Sequence, residues 1–392
     1  MQARGANMQQ TPRPEPFRVG ISGSYGGLNL GDEAILKSIV QQLSQSLPVE
    51  ITVFSRDAED TRRRHPQVAR ALPVRDMARN EVRPEIERLD LLIVGGGGIL
   101  FDAEARIYLR EVELALEHSV PVMVYAVGVG PLNSPEAQQL VRTQLAAVDA
   151  LTVREARARK LLEEIGVTRD IVVAADPAFL LEPENLPIGA LEREGLDTSR
   201  RLIGMSVREP GAAAPDIDEN MYHALLANAA DFMVERYDAD VVLVPMEPEM
   251  EDVRHSHAVI ARMLRPQRAT VLKGQYTSGQ MLSLVGRFTF AVGMRLHFLI
   301  FAALQGVPFV ALPYASKVEG FLADMEMVIP PLQLVNAGRL LAHIDRNWDQ
   351  REALKERIRD KLPRLQQRAA ESNRIATQLL LEARQARPLT PV

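Results

Sequence analysis

Short apolar runs alternate with amphipathic stretches along the chain, from Phe17 almost to its end. This rhythm marks βα units built around a mainly parallel sheet. In the first half it predicts strands at Arg18–Ser22, Ile51–Ser55, Leu91–Val94, Val122–Val127, Ala150–Val153 and Ile171–Ala174. Several are apolar throughout, as a sheet covered by helices on both faces requires. Helical spacing fills the intervals at Glu33–Gln45, Ala105–His118, Pro135–Ala147 and Ala156–Ile165. Gly166 follows the last of these, where a left-handed cap is wanted.

After Leu181 the pattern breaks. Residues 182–199 carry Pro183, Pro187, Gly189 and Gly195 among many charges and read as a linker. The alternation then restarts, with strands at Leu202–Val207, Val241–Val244, Ala269–Leu272, Phe288–Val292 and Phe309–Leu312. Helices are expected between them at Glu219–Glu235, Met250–Met263, Ser278–Val285 and Leu296–Gln305. The stretch Leu332–Ala386 reads as two further helices, the second laying a leucine stripe on the domains and showing charge to water. The organisation that follows is a tail (1–16), an N-terminal α/β domain (17–181), the linker (182–199), a C-terminal α/β domain (200–330) and closing helices (331–392). A chain of 392 residues exceeds what one hydrophobic core usually serves, which agrees with two domains.

Composition removes whole classes of function. The chain is 46% hydrophobic and 25% charged, with a formal net charge of -5. Its densest basic patch, Arg62-Arg63-Arg64, reads as a solvated helix face, so nucleic acid is not an expected partner. There is no cysteine, which excludes disulfides, thiolate catalysis and cysteine–zinc sites. The first sixteen residues lack the apolar core of a signal peptide, and no window approaches the roughly 18 apolar residues of a membrane span. A soluble, cytoplasmic protein is the expectation.

Candidate chemistry gathers at strand ends, where open α/β sheets place ligands. In Gly23-Ser24-Tyr25-Gly26-Gly27-Leu28-Asn29-Leu30-Gly31-Asp32-Glu33 the glycines permit a tight turn and close backbone approach. Asp32 suits a helix N-cap or a substrate contact, and Asn29 and Gly31 are contact candidates. The run Gly95-Gly96-Gly97-Gly98 leaves bare backbone for a bulky neighbour, so Gly96 and Gly97 join the candidates. It misses the dinucleotide fingerprint because Leu100 stands at the third glycine, although Asp57 follows the second strand where a ribose-binding acid could sit. Arg154 ends an apolar strand and either faces the cleft or pairs with Glu155 or Asp176. Gly293-Met294-Arg295-Leu296-His297 opens an apolar helix, whose N-terminus favours anions. Lys317, after the next strand, can meet the same anion. Arg208, Glu247 and Asp252 are rim candidates. His255 and His257, two apart on a charged helix, suit a surface location, and no metal site is expected.

Together these segments resemble the polysaccharide pyruvyl transferase family. The pieces are Gly26–Glu33, Gly95–Gly98, Val127-Gly128-Val129-Gly130-Pro131-Leu132, Thr152-Val153-Arg154-Glu155, Ala175-Asp176-Pro177-Ala178-Phe179, Gly293–His297 and Tyr314-Ala315-Ser316-Lys317-Val318. They run in order over about three hundred residues, and the ordered set is far more specific than any member. One departure is Glu155, where aspartate is expected; the carboxylate is retained. The resemblance implies two Rossmann-like domains facing across a cleft, similar to the GT-B glycosyltransferase fold. It also implies transfer of a pyruvyl group from phosphoenolpyruvate to two hydroxyls of a sugar or lipid-linked saccharide acceptor, giving a ketal and phosphate. Phosphoenolpyruvate would be a co-substrate, and no cofactor is implied. A lipid-linked acceptor would draw the protein to a membrane surface; the oligomeric state stays open.

The residues suit that chemistry in their own right. A ligand with a carboxylate and a phosphate calls for several fixed cations, and Arg154, Arg295 and Lys317 supply three. Adding a hydroxyl to an enol ether carbon needs proton transfer, and His297 is the candidate because imidazoles titrate near neutrality. Two rival readings are a nucleotide-sugar glycosyltransferase, with Glu319 as its late-strand acid, and a saccharide-binding protein without turnover.

Overall fold

In the first half the chain runs β1 (Phe17–Ser22), α1 (Leu30–Ser46), β2 (Val49–Ser55), α2 (Ala58–Arg64), β3 (Arg70–Pro73), α3 (Arg79–Glu87) and β4 (Leu91–Leu100). It continues through α4 (Ala105–Glu117), β5 (Val122–Val129), α5 (Pro135–Ala146), β6 (Ala150–Val153), α6 (Ala156–Glu164) and β7 (Ile171–Val173). After the one-turn helix α7 (Ala190–Arg193), the second half runs β8 (Arg201–Ser206), α8 (Glu219–Tyr237), β9 (Ala239–Leu243), α9 (Asp252–Ile260) and β10 (Ala269–Val271). It ends with α10 (Ser278–Val285), β11 (Phe290–Gly293), α11 (Leu296–Leu304), β12 (Phe309–Ala311), α12 (Ser316–Asp324), α13 (Ala337–Asp349) and α14 (Arg351–Ala386). This computed structural model describes residues 15–102, 104–209, 218–247, 251–312, 316–327 and 336–386. The expected tail up to residue 14, the Tyr314-Ala315 part of the motif before Lys317, and Leu332 lie outside the described residues.

The strands form two parallel sheets. The first has the order β3-β2-β1-β4-β5-β6-β7 and the second β10-β9-β8-β11-β12. In each, the first strand of the half pairs on both sides: β1 with β2 and β4, β8 with β9 and β11. There the winding reverses, and the loops leaving the two central strands part in opposite directions. That parting opens the crevice in which doubly wound sheets hold ligands. The fold is α/β with two Rossmann-like sheets, as expected.

The apolar runs became strands because each is covered on both faces. Val19, Ile21, Ile93, Val122, Val241 and Val292 are fully buried. Five elements lie outside the expected set: β3, α2, α3, α7 and α12. Strand β3 is a short edge strand of sequence Arg-Ala-Leu-Pro, α2 is mostly charged, and α3 sets only Val82 and Ile86 toward the core. Strand β4 also runs further than expected, through all four glycines to Leu100, because it keeps pairing with β5. Gly166 takes φ +89°, the left-handed cap its position called for.

The segment expected to be a linker packs closely. Ala190 and Leu196 are buried, and the Glu194 carboxylate accepts from the amides of Lys273 (2.9 Å) and Gly274 (2.8 Å) and from the Tyr276 hydroxyl (2.7 Å). The closing helices bind the halves together. Trp348 of α13 stacks on Tyr237 of α8 at 4.0 Å, in the second half. Helix α14 buries Leu354, Ile358, Leu365, Ala369, Ala376 and Leu380 along one side. It returns to the first half, where Ser372 shares a 2.9 Å hydrogen bond with Thr152 and Arg368 donates to the Ala174 carbonyl at 2.8 Å. The closing helix and its buried stripe are therefore as the spacing predicts.

Candidate active site

The loop after β1 is clamped from below. The amide of Gly26, at φ +74°, donates to Glu33 Oε1 at 2.9 Å, and the other Glu33 oxygen meets His65 Nε2 at 2.6 Å. Both side chains are buried, so Glu33 is tied to holding the loop. Asn29 then starts α1: its Oδ1 accepts from the amides of Gly31 (2.9 Å) and Asp32 (3.3 Å). Asn29, not Asp32, is the N-cap, because the helix starts earlier than its apolar spacing suggested. The carboxylate of Asp32 is left in the first turn, partly buried in the crevice.

Opposite this turn stands the first turn of α11, after β11. The His297 imidazole lies against Gly31, so close that any Cβ there would overlap Nδ1. On its other side, His297 Nε2 stands 3.5 Å from Asp176 Oδ2. The same carboxylate oxygen accepts from Arg154 Nη1 at 2.9 Å. Asp176 is fixed by its own backbone role, since Oδ1 caps the one-turn 3-10 helix Pro177–Leu180 through the Ala178 amide at 3.0 Å. Arg154 is only 5% exposed, and its guanidinium covers Gly128, where a Cβ would stand 2.7 Å from Nη2. Burial alone would raise the Asp176 carboxyl; His297 and then Arg154 outweigh it and hold the group well below the usual carboxylate range.

Lys317, in the first turn of α12, lines one small cavity with Arg154, Asp176 and Phe179. Gly97, at φ +84°, faces Asp32: a Cβ built there would lie 3.0 Å from Asp32 Oδ1. Burial pushes the Asp32 carboxyl up to about 6, against the opposing pull of His297 and Lys317. The crevice thus joins two cations, an imidazole and two carboxylates of opposite protonation tendency.

Not every expected residue arrives there. Arg295 is gripped by Asp252, whose Oδ2 takes its Nε at 3.1 Å, and by Glu247, whose Oε2 takes Nη1 at 2.9 Å. Asp252 also accepts from the amides of Met246 and Glu247, so this knot joins the loop after β9 to the turn that carries His297. Gly96 is required by packing, because a Cβ would overlap Ile35 of α1. Arg208 is ion-paired with Glu209. Both readings of Arg154 hold together: it pairs with Asp176 and it lines the cavity.

His255 departs from its expected surface location. It is fully buried, with Nδ1 2.8 Å from His223 Nε2 across the α8–α9 contact, while His257 is exposed. With Glu219 these imidazoles form a group of metal-ligand type. Glu219, however, is held by Arg254 at 2.8 Å, and burial lowers both histidines, so the pair reads as a neutral interhelical hydrogen bond. Asp176 is the residue that sequence reasoning weighed only as a partner of Arg154. Its place before Pro177 marks a cap, and a cap gives no sign of also holding a histidine.

A polysaccharide pyruvyl transferase family model matches residues 29–316, more than half of the chain. The chain belongs to the polysaccharide pyruvyl transferase family. No curated protein matches it. Among solved structures it is similar to a putative UDP-N-acetylglucosamine 2-epimerase from Listeria monocytogenes, at TM-score 0.62 and 14% identity, covering 97% of this chain and 100% of that one. It is also similar to a glycosyltransferase from Rickettsia africae, at TM-score 0.63 and 12% identity over 94% and 100%. A UDP-GlcNAc 2-epimerase from Neisseria meningitidis bound to UDP-GlcNAc matches at TM-score 0.59 and 12% identity, over 93% and 99%. At such identities the likeness is one of fold: the GT-B arrangement shared by glycosyltransferases and epimerases.

Proposed function

We propose that the protein transfers a pyruvyl group from phosphoenolpyruvate to two hydroxyls of a sugar in a cell-wall or exopolysaccharide precursor, forming a cyclic ketal and releasing phosphate. The observation that carries this reading is the cavity shared by Arg154 and Lys317, where Asp176 pairs with the arginine and stands 3.5 Å from the His297 imidazole. Phosphoenolpyruvate bears a carboxylate and a phosphate, and two fixed cations match them. Both cations also stabilise the charge that collects on phosphate as it leaves. His297 moves a proton of the attacking hydroxyl. Arg295 is a third donor cation only if the anion displaces Glu247 from it, so its substitution is expected to matter less than that of Arg154.

The acceptor needs room beside the donor. A second cavity of about 280 Å³ lies between the halves, lined by Leu28 and Leu30 from the turn before Asp32 and by Arg64, His257, Lys273 and Tyr276. A sugar ring fits such a volume. A nucleotide sugar is the rival occupant, since the fold is shared with enzymes of that chemistry. We place the reaction in the cytoplasm, at a membrane surface where the acceptor is lipid-linked. No helix among the described residues is long and apolar enough to cross a membrane.

The deciding assay incubates the protein with phosphoenolpyruvate and a panel of sugar and lipid-linked acceptors, following phosphate release and a pyruvyl mass gain. Turnover on no acceptor, together with binding of a nucleotide sugar, would replace this reading with the glycosyltransferase. Within the assay, His297→Ala is expected to lower kcat by about 10²–10⁴ while the fold persists, as loss of a positioned acid–base group does. Lys317→Ala is expected to weaken donor binding about tenfold or more, the worth of one charge-assisted hydrogen bond. Wild-type constants in both variants would remove the pair from the mechanism.

A further inference from the structure

The structure assigns to Asp32 the role of the acid that protonates the methylene carbon of the donor. This rests on the proposed phosphoenolpyruvate reaction and adds its second proton-transfer group. Ketal formation needs two. One group must take the proton of the attacking hydroxyl, and another must place a proton on carbon, because an enol ether accepts a nucleophile at C2 only as C3 is protonated. His297 cannot serve both from one position in a single step.

Asp32 has the placement for the second role. Asn29 takes the N-cap, and among the described residues no backbone amide donates to the Asp32 carboxylate as the Ala178 amide does to Asp176. The Asp32 Oδ1 faces Gly97, where an added Cβ would stand 3.0 Å from it, and the His297 ring lies against Gly31, the residue just before Asp32. It is flanked by His297 of α11 and Lys317 of α12, with Glu247 and Glu33 as neighbouring carboxylates. Arg154 and Tyr25 also feel its charge. The two carboxylates of the crevice are thereby separated in kind. Asp176, against the His297 imidazole and the Arg154 guanidinium, is held well below the usual carboxylate range, while Asp32 is held toward its protonated form by burial and by Glu247 and Glu33, against His297 and Lys317. A bound trianion adds negative charge beside Asp32 and favours its protonated form further.

The proton count closes. Asp32 gives its proton to C3, the C2–C3 π pair forms the new C–H bond, and the first sugar hydroxyl bonds to C2 as His297 takes its proton. The C2–O bond to phosphate then breaks with its electron pair. His297 returns its proton to the departing phosphate, and the second hydroxyl bonds to C2 and reprotonates Asp32. Two hydroxyl protons enter; one is balanced by the new methyl hydrogen and one leaves on hydrogen phosphate.

The test is titration of phosphoenolpyruvate into wild type and Asp32→Asn by calorimetry, in buffers of different ionisation enthalpy between pH 5.5 and 7.5, alongside the pH profile of turnover. Wild type is expected to take up a proton on binding, and its activity to fall on the alkaline side. Asp32→Asn is expected to bind the donor at least as tightly, to lose that uptake, and to turn over 10²–10⁴-fold more slowly. Proton uptake and a pH profile that match wild type, with turnover within about threefold, overturn the assignment while leaving the donor reading intact. Failure of wild type to bind phosphoenolpyruvate overturns both. If the asparagine variant does not fold, Asp32→Ala with added formic acid replaces it. Recovery of turnover with rising formic acid supports the assignment, and no recovery in a folded variant that binds the donor counts against it.

Discussion

Gly31→Ala is expected to abolish most turnover with little loss of fold. Alanine is a better helix former than glycine, and Gly31 lies inside the first turn of α1 without a left-handed φ. On propensity alone the substitution would stabilise. The added Cβ, however, overlaps His297 Nδ1, and the imidazole has nowhere easy to go. Asp176 stands on its far side at 3.5 Å, and Leu296 and Phe298 are buried on either side along α11. Either the ring rotates off Asp176 or the two halves separate slightly. A displacement near 1 Å in a reacting geometry costs about a hundredfold in rate. We expect kcat to drop by about 10² or more, with a thermal midpoint within a few degrees of wild type. A variant with wild-type kcat would show that the imidazole is not held against α1 during turnover, and the proposed role of His297 would fall with it.

That prediction joins two residues 266 positions apart in a sequence that names each of them separately. Most of the fold was legible in the same way. Apolar runs ended by glycine located β1, β4 and β11, and the run ended by Arg154 located β6, because fully covered strands leave an unbroken apolar signature. Strand β3 and helix α2 left none: an edge strand of four residues and a short charged helix are held by their neighbours, and α3 offers only Val82 and Ile86, one turn apart, among its charges. Site residues were legible where they end strands, as Arg154 does, or open helices, as His297 does. Their roles were less so. Asn29 and Asp32 are three apart and both fit an N-cap, and only the observed start of α1 separates them. Asp176 wears the signature of a cap before proline, and its second oxygen faces a histidine 121 residues later that no local pattern announces. The burial of His255 depends likewise on helix α8, which packs its own histidine against it.

Asp176→Asn is expected to weaken both the fold and the reaction. Arg154 and Asp176 have side chains only 4% and 5% exposed, so solvent screens their attraction little. Removing the carboxylate leaves a buried guanidinium with Glu155, at 3.8 Å, and the more weakly coupled Asp32 as acids near it. Breaking a buried pair in this way costs about 3–5 kcal/mol, and the surviving Glu155 contact argues for the lower end. The effect carries a pH signature. Because the folded carboxyl lies below the unfolded value of about 3.9, its stabilisation is fully present above that value and is lost as pH falls through the folded one. The stability gap between wild type and Asp176→Asn should therefore be widest near neutrality and close under acid. Asp32 acts with the opposite sign in wild type and variant alike: raised to about 6, it lowers stability as pH climbs from about 4 to 6. It shifts both curves together and leaves their difference to Asp176. Urea midpoints measured from pH 3 to pH 7 on both proteins would show this directly. Equal midpoints at neutral pH would mean that Arg154 finds its compensation elsewhere. In the assay the same variant frees His297 from its fixed carboxylate, so kcat should fall by about 10² or more even at temperatures where the variant is fully folded. A stability loss with unchanged kcat would separate the two duties of Asp176 and confine it to the scaffold.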